Sequence, residues 1–355
     1  MAEKYIDQVD RRFMDKARQI LSDLPQYVEK FANEKYEYET KPSTIYAYMI
    51  DIRAFLTHFA KQLGVPLKDI TVSDLARISR QDHVDYLASL RSSGYGLQAR
   101  NRLQAAVIGL YDYLINAQIY DIDYNIPKSI PRAKEPKKNT IDYFTDEDLT
   151  TIKKSLDEGE GLSGRQRSYY KSNEQRDNLV VVLLLTTGMR VSELVGINIQ
   201  DFRRNYTEVD IVRKEHATQT VYLSDEARDA VLTYMNGERK KLLEKAKKQL
   251  PELYQDCVDP LLLTVRGNYA GRISTVAVER LVKTHAHDTD SKTRSCHTFR
   301  RTYGSSVLAA TQNLALTQAL LGHSSPQTTQ AHYARASQTA QQDVAGIIKL
   351  RETPE

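Results

Sequence analysis

The segment HTFRRTYGSSVLAATQNLALTQALLGHSSPQTTQAHY, residues 297–333, gathers two imidazoles, a guanidinium and a phenol into 37 positions: His297, Arg300, His323 and Tyr333. His297 and Arg300 are three apart, with neither Pro nor Gly before Gly304. On a helix that spacing puts both on one face. Gly322 ends a second apolar run through Leu314, Leu316, Leu320 and Leu321, so His323 is expected at a helix end, projecting from a fixed turn. Pro326 opens a further helical segment over residues 328–334, which carries Tyr333. This inventory suits chemistry on an anion, a phosphate above all. HxxR alone is a common pattern and the chain holds 22 tyrosines, so the segment does not decide the matter by itself.

Two upstream stretches do. LLLTTGMRVSEL, ending at Leu194, places Arg190 just past Gly188 at the end of the apolar run 179–185. VDIVRKEHATQTVYL, residues 209–223, alternates as a β-hairpin does and carries Lys214 near its turn.

Taken together, these stretches resemble the tyrosine recombinase (phage integrase) family, in a Xer-like or simple mobile-element layout. The family's TGxRxSEL box is matched by Thr187, Gly188, Arg190, Ser192, Glu193 and Leu194. Its HxLRxxxxxxL box is matched by His297, Arg300 and Leu308, with Phe299 where Leu is usual. Its LLGHxxxxTTxxxY box is matched by Leu320, Leu321, Gly322, His323, Thr328, Thr329 and Tyr333, with ten residues from the His to the Tyr where nine is common. Lys214 stands where the family has a hairpin lysine, without the usual GKGxK context. The resemblance spans roughly residues 25–350, its sharp motifs lying in the C-terminal half.

The resemblance implies a mainly α fold with a small β-sheet: an all-helical core-binding domain and a mixed α/β catalytic domain, closing as a C-shaped clamp on DNA. The boundaries expected are a helical extension over 1–35, a core-binding domain over 36–124, a basic linker over 125–142, a catalytic domain over 143–336 and a C-terminal tail over 337–355. It also implies strand cleavage and rejoining through a 3′-phosphotyrosyl intermediate and a Holliday junction. The partners implied are inverted-repeat core sites on double-stranded DNA and three further copies of the chain in a tetramer. No metal and no cofactor is called for. A phenol of pKa near 10 is ionised about one part in a thousand at pH 7, a deficit of roughly 4 kcal/mol for a nucleophile. In the family's scheme Tyr333 attacks, Arg190 and Arg300 fork onto the phosphate oxygens, and His323 donates to the same group. His297 assists the phenol's proton, Lys214 protonates the departing 5′-hydroxyl, and Glu193 orients a neighbouring arginine or histidine.

Composition is consistent with this reading. The chain of 355 residues is long enough for two cores, and 41% hydrophobic with 27% charged residues is ordinary for a globular protein. No apolar run approaches a membrane span, the N-terminus is too polar for a signal peptide, and two cysteines make no disulfide framework. A cytoplasmic protein, nucleoid-associated when on DNA, is expected. The net charge of +4 is unevenly placed. Residues 126–138 hold five basic side chains against one Glu, and residues 41–140 hold fourteen against nine acidic ones. Residues 1–40 hold seven against nine. Arg100, Arg102, Lys128, Arg132, Lys134, Lys137 and Lys138 are therefore the candidate DNA-backbone contacts, although a solvated linker gives the same charge pattern.

Periodicity predicts helices over 1–35, 42–64 (Ser43 as cap; Ile45, Met49, Ile52, Leu56, Phe59 and Leu63 inward), 80–90 and 97–118. Thr145 and Asp148 read as a capping pair, residues 159–177 as a long polar loop with Arg165, Arg167 and Lys171, and residues 226–249 as one solvated helix. His285, His287, Cys296 and His297 form no known zinc spacing. Tyr206, Tyr222 and Tyr303 read as structural. GxxxxGK[ST] and GxSxG motifs are missing from the sequence. Two other readings remain in competition: a DNA-binding protein of this fold without catalysis, and a type IB topoisomerase.

Overall fold

A computed structural model describes residues 5–118, 120–134, 142–213, 217–291 and 293–322. The chain divides into two compact units, Met1–Lys138 and Asn139–Glu355, and the described residues are mostly helical with two small sheets.

Among its described residues the first unit has helices and no strand: α1 (Tyr5–Leu21), α2 (Gln26–Glu37), α3 (Pro42–Leu63), α4 (Val72–Arg77), α5 (Arg80–Ser92) and α6 (Leu97–Asn116). Its core is the inner stripes of α3 and α6, with Ile45, Met49, Ile52, Leu56 and Phe59 meeting Leu103, Val107, Leu110 and Leu114. The N-terminal helices belong to this core, α1 packing on α3 through Ala17 and Ile20. Two expectations for α3 are corrected. The helix begins with Pro42 after Lys41, so proline's fixed φ starts it and Ser43 is already inside. Leu63, in the last turn, is 45% exposed because the core has ended before it. A helix that periodicity misses, α4, opens on a capping box between Thr71 and Asp74.

The stretch expected as an extended linker starts as packed structure. Pro127 and Ile130 are buried, Gln104 Nε2 donates to the Ile130 carbonyl at 2.7 Å, and Asn101 Nδ2 donates to that of Ala133 at 2.9 Å.

The second unit runs α7 (Asp146–Glu158), α8 (Gly164–Lys171), α9 (Glu174–Thr187), α10 (Val191–Gly196), β1 (Phe202–Arg203), β2 (Glu208–Val212), β3 (Thr218–Tyr222), α11 (Asp225–Asn236), α12 (Glu238–Gln249), α13 (Gln255–Val258), β4 (Leu263–Arg266), β5 (Tyr269–Arg272), α14 (Thr275–His285), α15 (Cys296–Thr311) and α16 (Leu314–Leu321). The centre is α9, whose residues from Leu179 through Leu184 are all buried, with α10, α11, α14 and α15 packed around it. An apolar surface on every side is what such a position demands. β1, β2 and β3 form an antiparallel sheet in that order, with Val209 opposite Val221. β4 and β5 pair separately over a small core of Leu263, Val265, Ala270 and Ala246.

Thr145 and Asp148 do form a capping box on α7. The polar loop expected at 159–177 is largely helical instead. Ser163 and Gln166 cap α8, Tyr170 is buried against the Leu156 carbonyl, and Arg167 donates to that of Gly159 at 3.0 Å. The single helix expected over 226–249 is two, broken at Gly237. Gln175 Oε1 accepts from the Glu238 amide at 2.7 Å there, and a Cβ on Gly237 would overlap that side chain.

Candidate active site

The site is assembled at the end of α9. Gly188 terminates that helix in the left-handed region at φ +60, and the chain turns into α10 with Arg190 as its extended N-cap residue. Glu193, at the third position of α10, reaches back. Its Oε2 accepts from the Arg190 amide at 2.7 Å, and its Oε1 lies 2.7 Å from Arg190 Nη1. The TGxRxSEL pattern is therefore a local device: glycine makes the turn and glutamate fixes the arginine that follows. The Arg190 side chain is 34% exposed, that of Glu193 only 3%.

Arg300, on α15, is buried. Its Nη1 donates to the Gly188 carbonyl at 2.7 Å and its Nη2 to the Leu321 carbonyl at the end of α16. The second arginine thus binds the turn that presents the first. His297 lies one turn earlier on α15 and is exposed, in the first turn of a helix capped by Ser295 and Thr298. Phe299, in the box position where leucine is usual, packs tilted against Phe144 with ring centroids 4.7 Å apart. Lys214, His323 and Tyr333 lie outside the described residues, as do Lys137, Lys138 and the tail 337–355.

The structure adds a residue that sequence reasoning missed. Arg213, just after β2, is buried with Nη1 2.7 Å from Glu193 Oε2. Its Nε donates to Gln219 Oε1 at 2.9 Å and its Nη2 to the Leu320 carbonyl at 3.0 Å. Burial pushes its guanidinium below the usual arginine range; Glu193 opposes that and the Arg190 charge adds to it. The only signal in the sequence was its place beside Lys214. Gln219 Nε2 in turn donates to the Ala319 carbonyl at 3.2 Å. Three successive carbonyls at the negative end of α16, just before His323, are thereby held by Gln219, Arg213 and Arg300.

Tyr303 sits against Gly188, and burial raises its phenol pKa, the reverse of what a nucleophile needs. Tyr222 is exposed and Tyr206 packs on Phe202. The imagined zinc ligands are dispersed. His285 is buried between Ser155 and Asp177, His287 faces Asp288, and burial raises the pKa of the Cys296 thiol. Of the candidate DNA contacts, Arg102 grips Asp51 through two hydrogen bonds and Lys128 pairs with Asp112 at 3.2 Å. Arg100 is half-buried, whereas Arg132 and Lys134 are exposed.

The phage integrase family matches residues 154–340, which span every element of this site. The chain belongs to that family and is a tyrosine recombinase, a DNA strand transferase of site-specific recombination. It is similar to Tyrosine recombinase XerS of Streptococcus pyogenes, 25% identical over 86% of this chain and 90% of that protein. It is also similar to XerS of Streptococcus pneumoniae, 26% identical over 89% and 92%. In fold it resembles the XerH site-specific recombinase bound to palindromic difH substrate in a post-cleavage complex, with TM-score 0.60, 18% identity, and coverage of 93% of this chain and 88% of that one. The Tn1549 transposon integrase in complex with circular intermediate DNA gives TM-score 0.57 at 16% identity, over 91% of this chain and 99% of that one. These likenesses favour neither a catalytically silent relative nor a type IB topoisomerase. Among the described residues, no helix is long and apolar enough to cross a membrane.

Proposed function

We propose that Arg190, Lys214, His297, Arg300, His323 and Tyr333 act on one phosphodiester of a DNA site. The Tyr333 oxygen attacks phosphorus and the 5′-hydroxyl leaves, giving a 3′-phosphotyrosyl link that a second strand's 5′-hydroxyl reverses. Bond energy is kept in that link, so no nucleotide cofactor is consumed. Arg190 and Arg300 carry the charge that grows on the non-bridging oxygens, His323 donates to the same oxygens, His297 handles the phenol's proton, and Lys214 protonates the leaving oxygen.

The observation that carries this reading is the bond from Arg300 Nη1 to the carbonyl of Gly188, which brings two distant arginines to one turn. Two arginines distant in sequence thereby meet at one turn, as contact with a single phosphate would require.

The XerH and Tn1549 neighbours are solved on DNA. By the same reading this chain works in the cytoplasm as a tetramer on two inverted-repeat sites, through a Holliday junction. Its first unit acts as the core-binding domain, with Arg100, Arg102, Lys128, Arg132, Lys134, Lys137 and Lys138 along the DNA backbone, and residues 337–355 dock on the neighbouring copy.

The test uses a nicked duplex carrying a site selected from random duplexes by the purified protein. Single-turnover cleavage should fall on the order of a hundredfold or more in Arg190→Ala and in Arg300→Ala while duplex binding persists. Unaltered cleavage in both would place the phosphate elsewhere.

A further inference from the structure

Glu193 is shared. One oxygen meets Arg190 Nη1 and the other meets Arg213 Nη1, each at 2.7 Å. A carboxylate paired with Arg190 alone would make a neutral couple, and a phosphate approaching it would feel an arginine whose field is largely cancelled. With Arg213 added, the three side chains carry one net positive charge. Arg213 is only 5% exposed, and Glu193, Gln219 and Leu320 each accept one of its side-chain N–H groups. Its backbone is fixed as well, the amide donating to the Ala217 carbonyl at 2.7 Å across the hairpin.

Stability alone is a poor account of such an arrangement. Two guanidiniums crowd one buried carboxylate, and buried ion pairs are commonly replaced by apolar side chains at no loss of stability.

We propose that Arg213 is a positioning residue for strand cleavage: by holding Glu193 it leaves Arg190 electrostatically available to the scissile phosphate. The inference rests on reading Arg190 as a phosphate contact, and it adds a charge balance that the TGxRxSEL box does not contain. The hairpin supplies the balancing cation, so the field at the phosphate depends on β2 being seated against α10 and α16.

Charge rescue tests this. On the selected nicked duplex, Arg213→Met should slow single-turnover cleavage on the order of a hundredfold with duplex affinity little changed. Glu193→Gln added to Arg213→Met removes the cancelling carboxylate while keeping an acceptor for the Arg190 amide. The double variant should regain about tenfold or more of the lost rate. A residue that merely packs would give a double variant slower than either single one. Wild-type cleavage by Arg213→Met, or no recovery in the double variant, overturns the proposal. If Arg213→Met fails to fold, Arg213→Lys decides instead. It keeps the charge beside Glu193 without the bonds to Leu320 and Gln219, and should stay within about tenfold of wild type, whereas a hundredfold loss overturns the proposal. Arg190→Ala, run alongside, separates the two levels: full activity there would remove the underlying reading, while a loss there without rescue in the double variant would remove only the role of Arg213.

Discussion

Arg300 and Gly188 stand 112 residues apart in sequence and are joined by a 2.7 Å hydrogen bond, guanidinium to carbonyl. This contact fastens α15 to the turn that carries Arg190. The same glycine lies at φ +60 with Tyr303 directly against it, so a Cβ would meet the ring. Gly188→Ala should therefore cost at least about 1 kcal/mol from the left-handed backbone alone, and more from the overlap. A urea titration measures the first effect. Single-turnover cleavage should fall as well, because the carbonyl that Arg300 holds is displaced. An alanine variant as stable and as active as wild type would show that neither contact matters.

In the helical unit, Arg102 is both a candidate backbone contact and the partner of a buried aspartate. Its Nε and Nη2 lie 2.7 and 3.0 Å from the Asp51 carboxylate, across α3 and α6. The Arg102 side chain is 51% exposed, so solvent screens much of the attraction. Removing it still leaves Asp51 buried without its cation. Arg102→Ala should destabilise the protein by about 1–2 kcal/mol, and Asp51→Asn added to it should recover part of that loss. Thermal melting of the wild type, Arg102→Ala, Asp51→Asn and the double variant checks the pattern. Strict additivity would mean that the pair is not coupled in the fold.

His83 supplies a pH dependence. It is buried, stacked on Phe55 with centroids 5.4 Å apart, and its Nε2 lies 3.4 Å from the Tyr111 hydroxyl. Burial pushes its pKa down from 6.5 to about 4, with Asp82 opposing. The unfolded chain therefore binds a proton at His83 at a higher pH than the folded one. Stability from this group is complete above about pH 6.5 and is lost as pH falls towards 4, by up to about 3 kcal/mol. Denaturant midpoints between pH 7 and pH 4 should fall, and His83→Gln should flatten that part of the curve. An unchanged slope in the variant would assign the acid sensitivity to other groups.

Legibility in the sequence followed the range of the interactions. Helices α3 and α6 could be read because their apolar residues recur at helical spacing, and α7 because Thr145 and Asp148 cap within one turn. Arg190, Glu193 and Arg300 could be named because their boxes are short and their neighbours do local work, as Gly188 shows. The break at Gly237 was hidden, since it depends on Gln175 from another helix. The β4–β5 hairpin carries only a short local signal, Gly267-Asn268 between two four-residue strands. Arg213 could not be assigned at all: its partners Glu193 and Leu320 are 20 and 107 residues away, and nothing local marks it as buried. The expected loop at 159–177 misled because its composition is polar, while a capping box and one buried tyrosine suffice to make it helical.

The central claim is that a phenol replaces a sugar oxygen on one DNA phosphorus beside Arg190 and Arg300. Its most direct measurement is protease digestion and mass mapping of the covalent complex trapped on the selected nicked duplex. The account predicts a nucleotide-bearing peptide that contains Tyr333 and vanishes in Tyr333→Phe, which should still bind the duplex. An adduct that persists in Tyr333→Phe, or one mapped to Tyr303 or any other residue, would contradict it.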